Sequence, residues 1–325
     1  MKFIGLDTLE PEYNLAAEEH FFTKCSEPVF MLWQNKDAVI VGRNQNTLEE
    51  IDTEKVRAQG VHVVRRITGG GAVFHDMGNV NYTFIYPEAQ GDYLNFRKFA
   101  QPIVDFLATL GVTAEFSGRN DLLIDGRKFS GNAQYSHNGT VLHHGTLMFS
   151  SDLDRVSGIL TVNEEKIRSK AIKSVKSHVT TIREHMNVPM TVEQFKSQLG
   201  DYVCRMTGAE NYIPTEADLE QIAKLRREKY DTWEWNYGYS PKYSFFKRTY
   251  TTAGTVEVHL DIREGVICAA TVYGDFFALC PIKDFEQQLI GVRHSMEELN
   301  EKFSRIRIND YFAGIQQQTL VDCFF

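Results

Sequence analysis

Apolar positions recur along this chain in two rhythms, one helical and one alternating, and the switches between them mark out the elements. Residues 11–25 read as a helix: Leu15, Glu18, Glu19 and Phe22 fall on helical spacing, Pro11 suits a first-turn position and Glu12 the positive end of the helix dipole. Short apolar runs at 29–33 and 38–42 read as paired strands, with Arg43 and Asn44 at the open end of the second. Residues 48–59 read as a short helix capped by Thr47, leading into a strand at 61–64. After a glycine-rich loop come a strand at 79–86, a helix at 96–110 and a strand at 112–116. Asp125-Gly126, set between two short apolar runs, is a strong hairpin signal. It predicts pairing of Leu123 with Lys128, Leu122 with Phe129 and Asp121 with Ser130. Alternation then places Leu122, Ile124 and Phe129 on a core face, and Asp121, Lys128 and Ser130 together on the other.

A further strand covers 141–149, and helices are expected over 192–206 and 217–230, before a Trp-rich segment at 232–238. From about residue 245 the texture changes. Strands at 255–261 and 266–272 flank an Arg263-Glu264-Gly265 turn, and amphipathic segments at 285–290 and 296–303 precede a last helix near 310–323. With 325 residues, more than a single core usually serves, this pattern predicts one large and one small domain.

The stretch Arg65-Arg66-Ile67-Thr68-Gly69-Gly70-Gly71-Ala72-Val73-Phe74-His75-Asp76 stands out. Three glycines allow positive φ and close approach of a ligand, and successive amides in such a turn form an anion-binding concavity. Two arginines enter the turn, each with a planar fork suited to phosphate or carboxylate. A tight strand connection with a solvated arginine pair is the competing reading. No G-x-x-x-x-G-K-[ST] or G-x-G-x-x-G fingerprint is present.

The composition narrows the field. A net charge of −8 argues against nucleic acid as the main partner. The five cysteines are scattered, none at metal-ligand spacing, and point to reduced thiols and a cytoplasmic setting. Asp7 interrupts the N-terminus too early for a signal peptide, and no apolar run approaches the ~20 residues of a membrane span. His143 and His144 are adjacent in a strand and face opposite ways, so they cannot chelate one ion together. The basic run Lys166, Arg168, Lys170, Lys173, Lys176 and Arg183 reads either as a solvated face or as an attraction for an acidic partner.

Together, RRITGGGAVFHD (65–76) with NVNYTFIY behind it, GRNDLLIDGRKFSGNA (118–133) and HHGTLMFSSDL (143–153) resemble the lipoate–protein ligase A family. MLWQNKDAVIVGRNQN (31–46) and TWEWNYG (232–238) are similar to it as well. The resemblance implies an α+β protein. A large mixed-sheet catalytic domain of the biotin/lipoate ligase type would cover 1–244, with a small α+β accessory domain at 245–325. It implies activation of lipoate by ATP and Mg²⁺ to lipoyl-AMP, then transfer of the lipoyl group to a lysine of a lipoyl-carrier domain. The acceptors would be E2 subunits of 2-oxoacid dehydrogenases or the glycine cleavage H protein.

By the same resemblance Arg66, Gly71, Ala72, Val73, Phe74 and Lys128 would bind ATP. Gly70, Trp33, Tyr82 and Lys128 would bind lipoate, and Lys128 is the expected catalytic residue. Arg43, His144 and Asp121 are candidate supports, Asp121 also for the metal. The chemistry fits these residue types, because attack of a carboxylate on the α-phosphorus joins two anions and a compact ammonium between them lowers their repulsion. Two rivals remain: an ATP-independent lipoyl or octanoyl transferase using a cysteine thioester, and a non-catalytic sensor that kept the pocket.

Overall fold

The computed structural model describes all residues except 88, 119, 161–177, 239–242, 252, 275 and 277. Most of the basic run, from Lys166 to Lys176, lies outside the described residues. The described chain divides into two compact units, Met1–Arg43 with Glu50–Thr232, and Asn44–Glu49 with Trp233–Phe325.

In the first unit the strands are β1 (Lys2–Gly5), β2 (Val29–Trp33), β3 (Ala38–Val41), β4 (His62–Arg65), β5 (Val73–His75), β6 (Asn79–Tyr86), β7 (Glu115–Ser117), β8 (Asp121–Ile124), β9 (Arg127–His137), β10 (Thr140–Met148) and β11 (Glu210–Asn211). A mixed sheet runs in the order β11-β1-β2-β6-β10-β9-β8-β7, and a smaller one in the order β4-β3-β5. In the larger sheet β1 is parallel to β2 and β11, and β2 onwards is antiparallel.

Strand β6 explains how one sheet serves two purposes. Its alternate residues Val80, Tyr82 and Phe84 enter an apolar core with Phe99, Ile103 and Phe106 from the helix Phe96–Thr109 and Phe195 and Leu199 from the helix Val192–Thr207. Burying each such side chain contributes about 1.5–3 kcal/mol. Asn79, Asn81 and Thr83 alternate with them, and they are just as buried, so the opposite face is a dry polar floor. Over that floor lie the helix Pro11–Thr23 and the small sheet. Gly145 of β10 is needed here: a Cβ would stand 2.3 Å from Asn132 Oδ1 and 2.6 Å from Tyr82 Cε1.

Several boundaries differ from the sequence reading for local reasons. Residues 48–59 form two short helices, Thr47–Glu50 and Thr53–Gln59. Asp52 restarts the second by accepting the Lys55 amide, and the passage between units falls at the end of the first, between Glu49 and Glu50. The helix Glu216–Leu225 ends in a wider π-type turn, Arg226–Tyr230, which brings Lys229 and Tyr230 to Glu19. The hairpin turns at Asp125 (φ +49°) and Gly126 (φ +74°), and Leu123 pairs with Lys128 as expected. A register shift follows, so Leu122 faces Ser130 and Asp121 faces Gly131. Ser130 is therefore buried near Asn132 rather than grouped with Asp121 and Lys128.

The second unit is an antiparallel sheet, β12 (Tyr243–Thr251), β13 (Gly254–Arg263) and β14 (Val266–Gly274), packed with the helices Ile282–Leu289, Met296–Ser304 and Gln317–Asp322. Phe285, Phe303, Phe312 and Phe324 pack in its core in tilted and edge-to-face contacts. The sequence reading lacked β12, and the final helix is shorter than expected, preceded by a separate turn at Ile308–Tyr311.

We predict that Gly145→Ala lowers the unfolding free energy by about 1–3 kcal/mol, because neither the Asn132 amide nor the Tyr82 ring can retreat from a packed core. Urea denaturation tests this, and an unchanged midpoint would contradict the close approach.

Candidate active site

A cavity opens between the polar floor and the glycine loop. Leu15, Trp33, Ile40 and Val73 form an apolar wall, Arg66, Gly70, Gly71 and Ala72 one rim, and Lys128, Gly131, Asn132 and Gly145 the opposite rim. Its volume is about 130 Å³, well below the ~300–1,000 Å³ of sites that enclose a drug-sized ligand. It has room for a narrow chain.

Arg66 shapes this loop. Its guanidinium is 5 % exposed and donates from Nη2 to the carbonyls of Gly69 (2.7 Å) and Gly71 (2.9 Å), from Nη1 to Ile40 O (3.0 Å) and from Nε to Thr68 Oγ1 (2.9 Å). Gly70 bridges the two held carbonyls at φ +95°, and a Cβ there would meet Arg66 Nη2 at 3.0 Å. The sequence reading takes Arg66 as a phosphate ligand. The structure gives those named donors to the loop itself and leaves the buried positive charge beneath the rim.

That charge is balanced at a distance. Glu18, 1 % exposed, accepts from Thr83 Oγ1 (2.6 Å) and from His144 Nδ1 (2.9 Å), and His144 Nε2 meets Thr68 Oγ1 at 2.8 Å. Thr68 Oγ1 accepts from Arg66 Nε and also bonds His144 Nε2, so the hydroxyl links the guanidinium to the imidazole. Trp33 Nε1 donates to Thr83 Oγ1 (3.0 Å), tying the apolar wall into the same chain. Burial pushes the Arg66 pKa down to about 10 and the Glu18 carboxylate works against that fall, so the guanidinium stays charged at neutral pH.

Opposite, Lys128 Nζ lies 2.7 Å from Asp121 Oδ1, each side chain a little over one-third exposed. The lysine folds back over Gly131, where a Cβ would stand 3.1 Å from its ammonium. A half-exposed pair of this kind contributes little to stability and leaves ammonium donors for an incoming anion.

Of the residues named from the sequence, Trp33, Arg66, Gly70, Gly71, Ala72, Val73, Lys128 and His144 converge on the cavity. Phe74 points away from it, beneath the Arg155 guanidinium at 5.3 Å from the ring centre. Tyr82 lies on the core side of β6, touching the site through its hydroxyl bond to Asn132 Oδ1. Arg43 sits over the Tyr135 ring at 5.3 Å, outside the lining. Sequence reading passed over Glu18, Thr68, His75, Asn81 and Asn132 as site residues. The usable signal was polar residues at every second position in an otherwise apolar strand, Asn79, Asn81 and Thr83.

The architecture is that of an acyl-activating ligase catalytic domain with a second, small α+β unit. Among solved structures, the chain resembles a bipartite lipoate protein ligase from Thermoplasma acidophilum, described with its E2 lipoyl domain, at a TM-score of 0.65 and 27 % identity, covering 74 % of this chain and 98 % of that one. Residues 10–203 match the lipoyl protein ligase A/B catalytic domain and residues 240–324 the bacterial lipoate protein ligase C-terminus. The chain is 41 % identical to lipoate–protein ligase 1 of Staphylococcus aureus (99 % of both chains) and 38 % identical to lipoate-protein ligase LplJ of Bacillus subtilis (97 % of both). It belongs to the lipoate–protein ligase family.

Two buried histidines near the site make a pH prediction. Burial and the neighbouring Arg66 charge drive His75 down to about 3, and burial drives His143 well below its ordinary 6.5. Both are neutral when folded and take up a proton on unfolding below pH ~6.5. Their stability contribution is therefore full above that pH and is lost as pH falls toward 3. Between pH 7 and 5 the unfolding free energy should drop by about 2–4 kcal/mol, at up to ~1.4 kcal/mol per pH unit for each histidine. Equal urea midpoints at the two pH values would contradict it.

Proposed function

We propose that this protein is an ATP-dependent lipoate–protein ligase that forms lipoyl-AMP and passes the lipoyl group to a lysine of a lipoyl-carrier domain. The carrying observation is the placement of the Lys128 ammonium across from the Arg66-held glycine loop, at the polar end of a cavity whose other wall is Trp33, Leu15, Ile40 and Val73. A fatty-acid chain with a terminal carboxylate matches that polarity.

In this reading Lys128 binds the carboxylate and the α-phosphate together and stabilises the negative charge that builds between them. Asp121 holds the ammonium in place until the anions arrive. The loop Gly70–Val73 contacts the nucleotide, with the Arg66 charge behind it. The activated acyl group then needs only a desolvated amine, and the narrow walls exclude water from the anhydride. Mg²⁺ typically enters such sites on nucleotide phosphates with one or two carboxylates. Among the described residues no group of three ligating side chains forms a metal site, and Asp121 is the carboxylate we assign to a phosphate-borne ion. Catalysis is assigned to residues 1–244 and an accessory role to 245–325, although Trp233–Gly238 packs with the second unit.

Lipoyl domains of 2-oxoacid dehydrogenase E2 subunits and the glycine cleavage H protein are the proposed acceptors. No helix among the described residues is long and apolar enough to cross a membrane, and the free cysteines suit the cytoplasm we propose for the reaction. The thioester transferase is disfavoured because no cysteine lines the cavity among the described residues, and burial raises the Cys25 thiol to about 11.

Lys128→Ala should reduce lipoate-dependent ATP–pyrophosphate exchange by at least about a hundredfold, the scale of losing a placed charge-stabilising donor, with no change in melting temperature. Turnover near the wild-type rate would sink the assignment.

A further inference from the structure

Behind the apolar wall, His75 has a nitrogen that no protein atom satisfies. The side chain is 2 % exposed, lines the cavity, and its Nε2 is buried without a hydrogen-bond partner. Its other nitrogen is fixed by a relay. Asn14 Nδ2 donates to the backbone carbonyls of Thr8 (3.1 Å) and Gln34 (2.8 Å), which sets the orientation of that amide. The same group donates to Asn35 Oδ1 (2.9 Å), so Asn35 presents its Nδ2 to His75 Nδ1 at 3.1 Å, and Asn81 Nδ2 approaches the same nitrogen at 3.5 Å. His75 Nδ1 is thus an acceptor, and the ring proton must sit on Nε2. Burial and the Arg66 charge oppose a second proton.

The position of this N–H along the cavity says what it meets. Trp33 pairs with Asn81, and Asn81 with Thr146, forming one row across β2, β6 and β10. Thr146 Oγ1 lies 3.3 Å from the Gly131 amide on β9, over which the Lys128 ammonium folds. The imidazole stands against Trp33 edge-on at 6.2 Å and beside Asn81. From β9 to β6 is two strand spacings, about 10 Å, comparable to the reach of lipoate's acyl chain. A carboxylate at Lys128 therefore sends the far end of the chain to Trp33 and His75. A neutral N–H at an apolar wall suits a weak, uncharged acceptor rather than a phosphate or carboxylate.

We propose that His75 is a tautomer-locked hydrogen-bond donor to a ring sulfur of the lipoyl dithiolane, and that it selects a sulfur-bearing acyl chain over a plain alkyl chain such as octanoate. The proposal rests on the ligase reading. Its physical basis is asymmetric: an alkyl chain leaves the buried donor unpaired, and a buried donor without an acceptor is costly.

The test measures Kd for lipoate and for octanoate by calorimetry, in wild type, His75→Phe and His75→Gln, alongside KM for ATP. In H75F the preference for lipoate over octanoate should fall by about three- to tenfold, the span of one net hydrogen bond, because lipoate loses the donor and octanoate no longer strands it, with the ATP KM unmoved. H75Q, whose amide nitrogen reaches the place of Nε2, should retain the preference. Equal losses for both acids in H75F, or an effect confined to ATP, would overturn the proposal. So would ¹⁵N NMR at pH 7 showing the wild-type proton on Nδ1, a readout that needs no variant to fold. Wild-type exchange with lipoate but an unchanged preference in H75F would remove His75 alone. Absence of lipoate binding and exchange in wild type would remove the ligase reading with it.

Discussion

The site depends on one buried guanidinium. Taking a charge out of water costs several kcal/mol unless its donors and its charge are both answered. For Arg66 the donors are answered by carbonyls of Gly69, Gly71 and Ile40, which gives the glycine loop a definite shape. Its charge is answered by Glu18 through Thr68 and His144, which ties that loop to the helix Pro11–Thr23 and to β10. Adjacent glutamates on this helix point about 100° apart. Glu18 therefore serves the site while Glu19 takes Lys229 and Tyr230 on another side. The rim, the floor and the first helix are parts of one electrostatic arrangement.

The second rim is built differently. Lys128 is brought in by a hairpin whose register slips once, which sends Ser130 inward and leaves a glycine under the ammonium. One cation is thus rigid, buried and committed to backbone, and the other half-exposed and paired only with Asp121. Such a division suits adenylation, where the loop must keep its form while a mobile charge follows the anions from ground state to transition state.

Much of this was legible in the chain. The Asp-Gly turn fixed the Leu123–Lys128 pairing, and the triple glycine between strands marked the loop, because both signals are local and rest on positive φ. The opposed faces of His143 and His144 followed from strand geometry alone: His143 stacks on Phe99, and His144 reaches Glu18. What sequence did not disclose was long-range. Nothing near Arg66 announces that Glu18 balances it, and nothing in the local alternation of the hairpin announces its register slip. The resemblance gives Tyr82 to lipoate and Phe74 to ATP, and strand geometry turns Tyr82 toward the core and sets Phe74 beneath Arg155.

The central claim is a diffusible acyl-adenylate made at Lys128 with no covalent acyl-enzyme. Mass spectrometry of the wild-type chain incubated with lipoate and Mg-ATP, without an acceptor, tests it directly. The account predicts lipoyl-AMP held noncovalently under native conditions, and an unmodified chain mass once denatured. A lipoyl group found covalently on one of the five cysteines, with no lipoyl-AMP present, would contradict it.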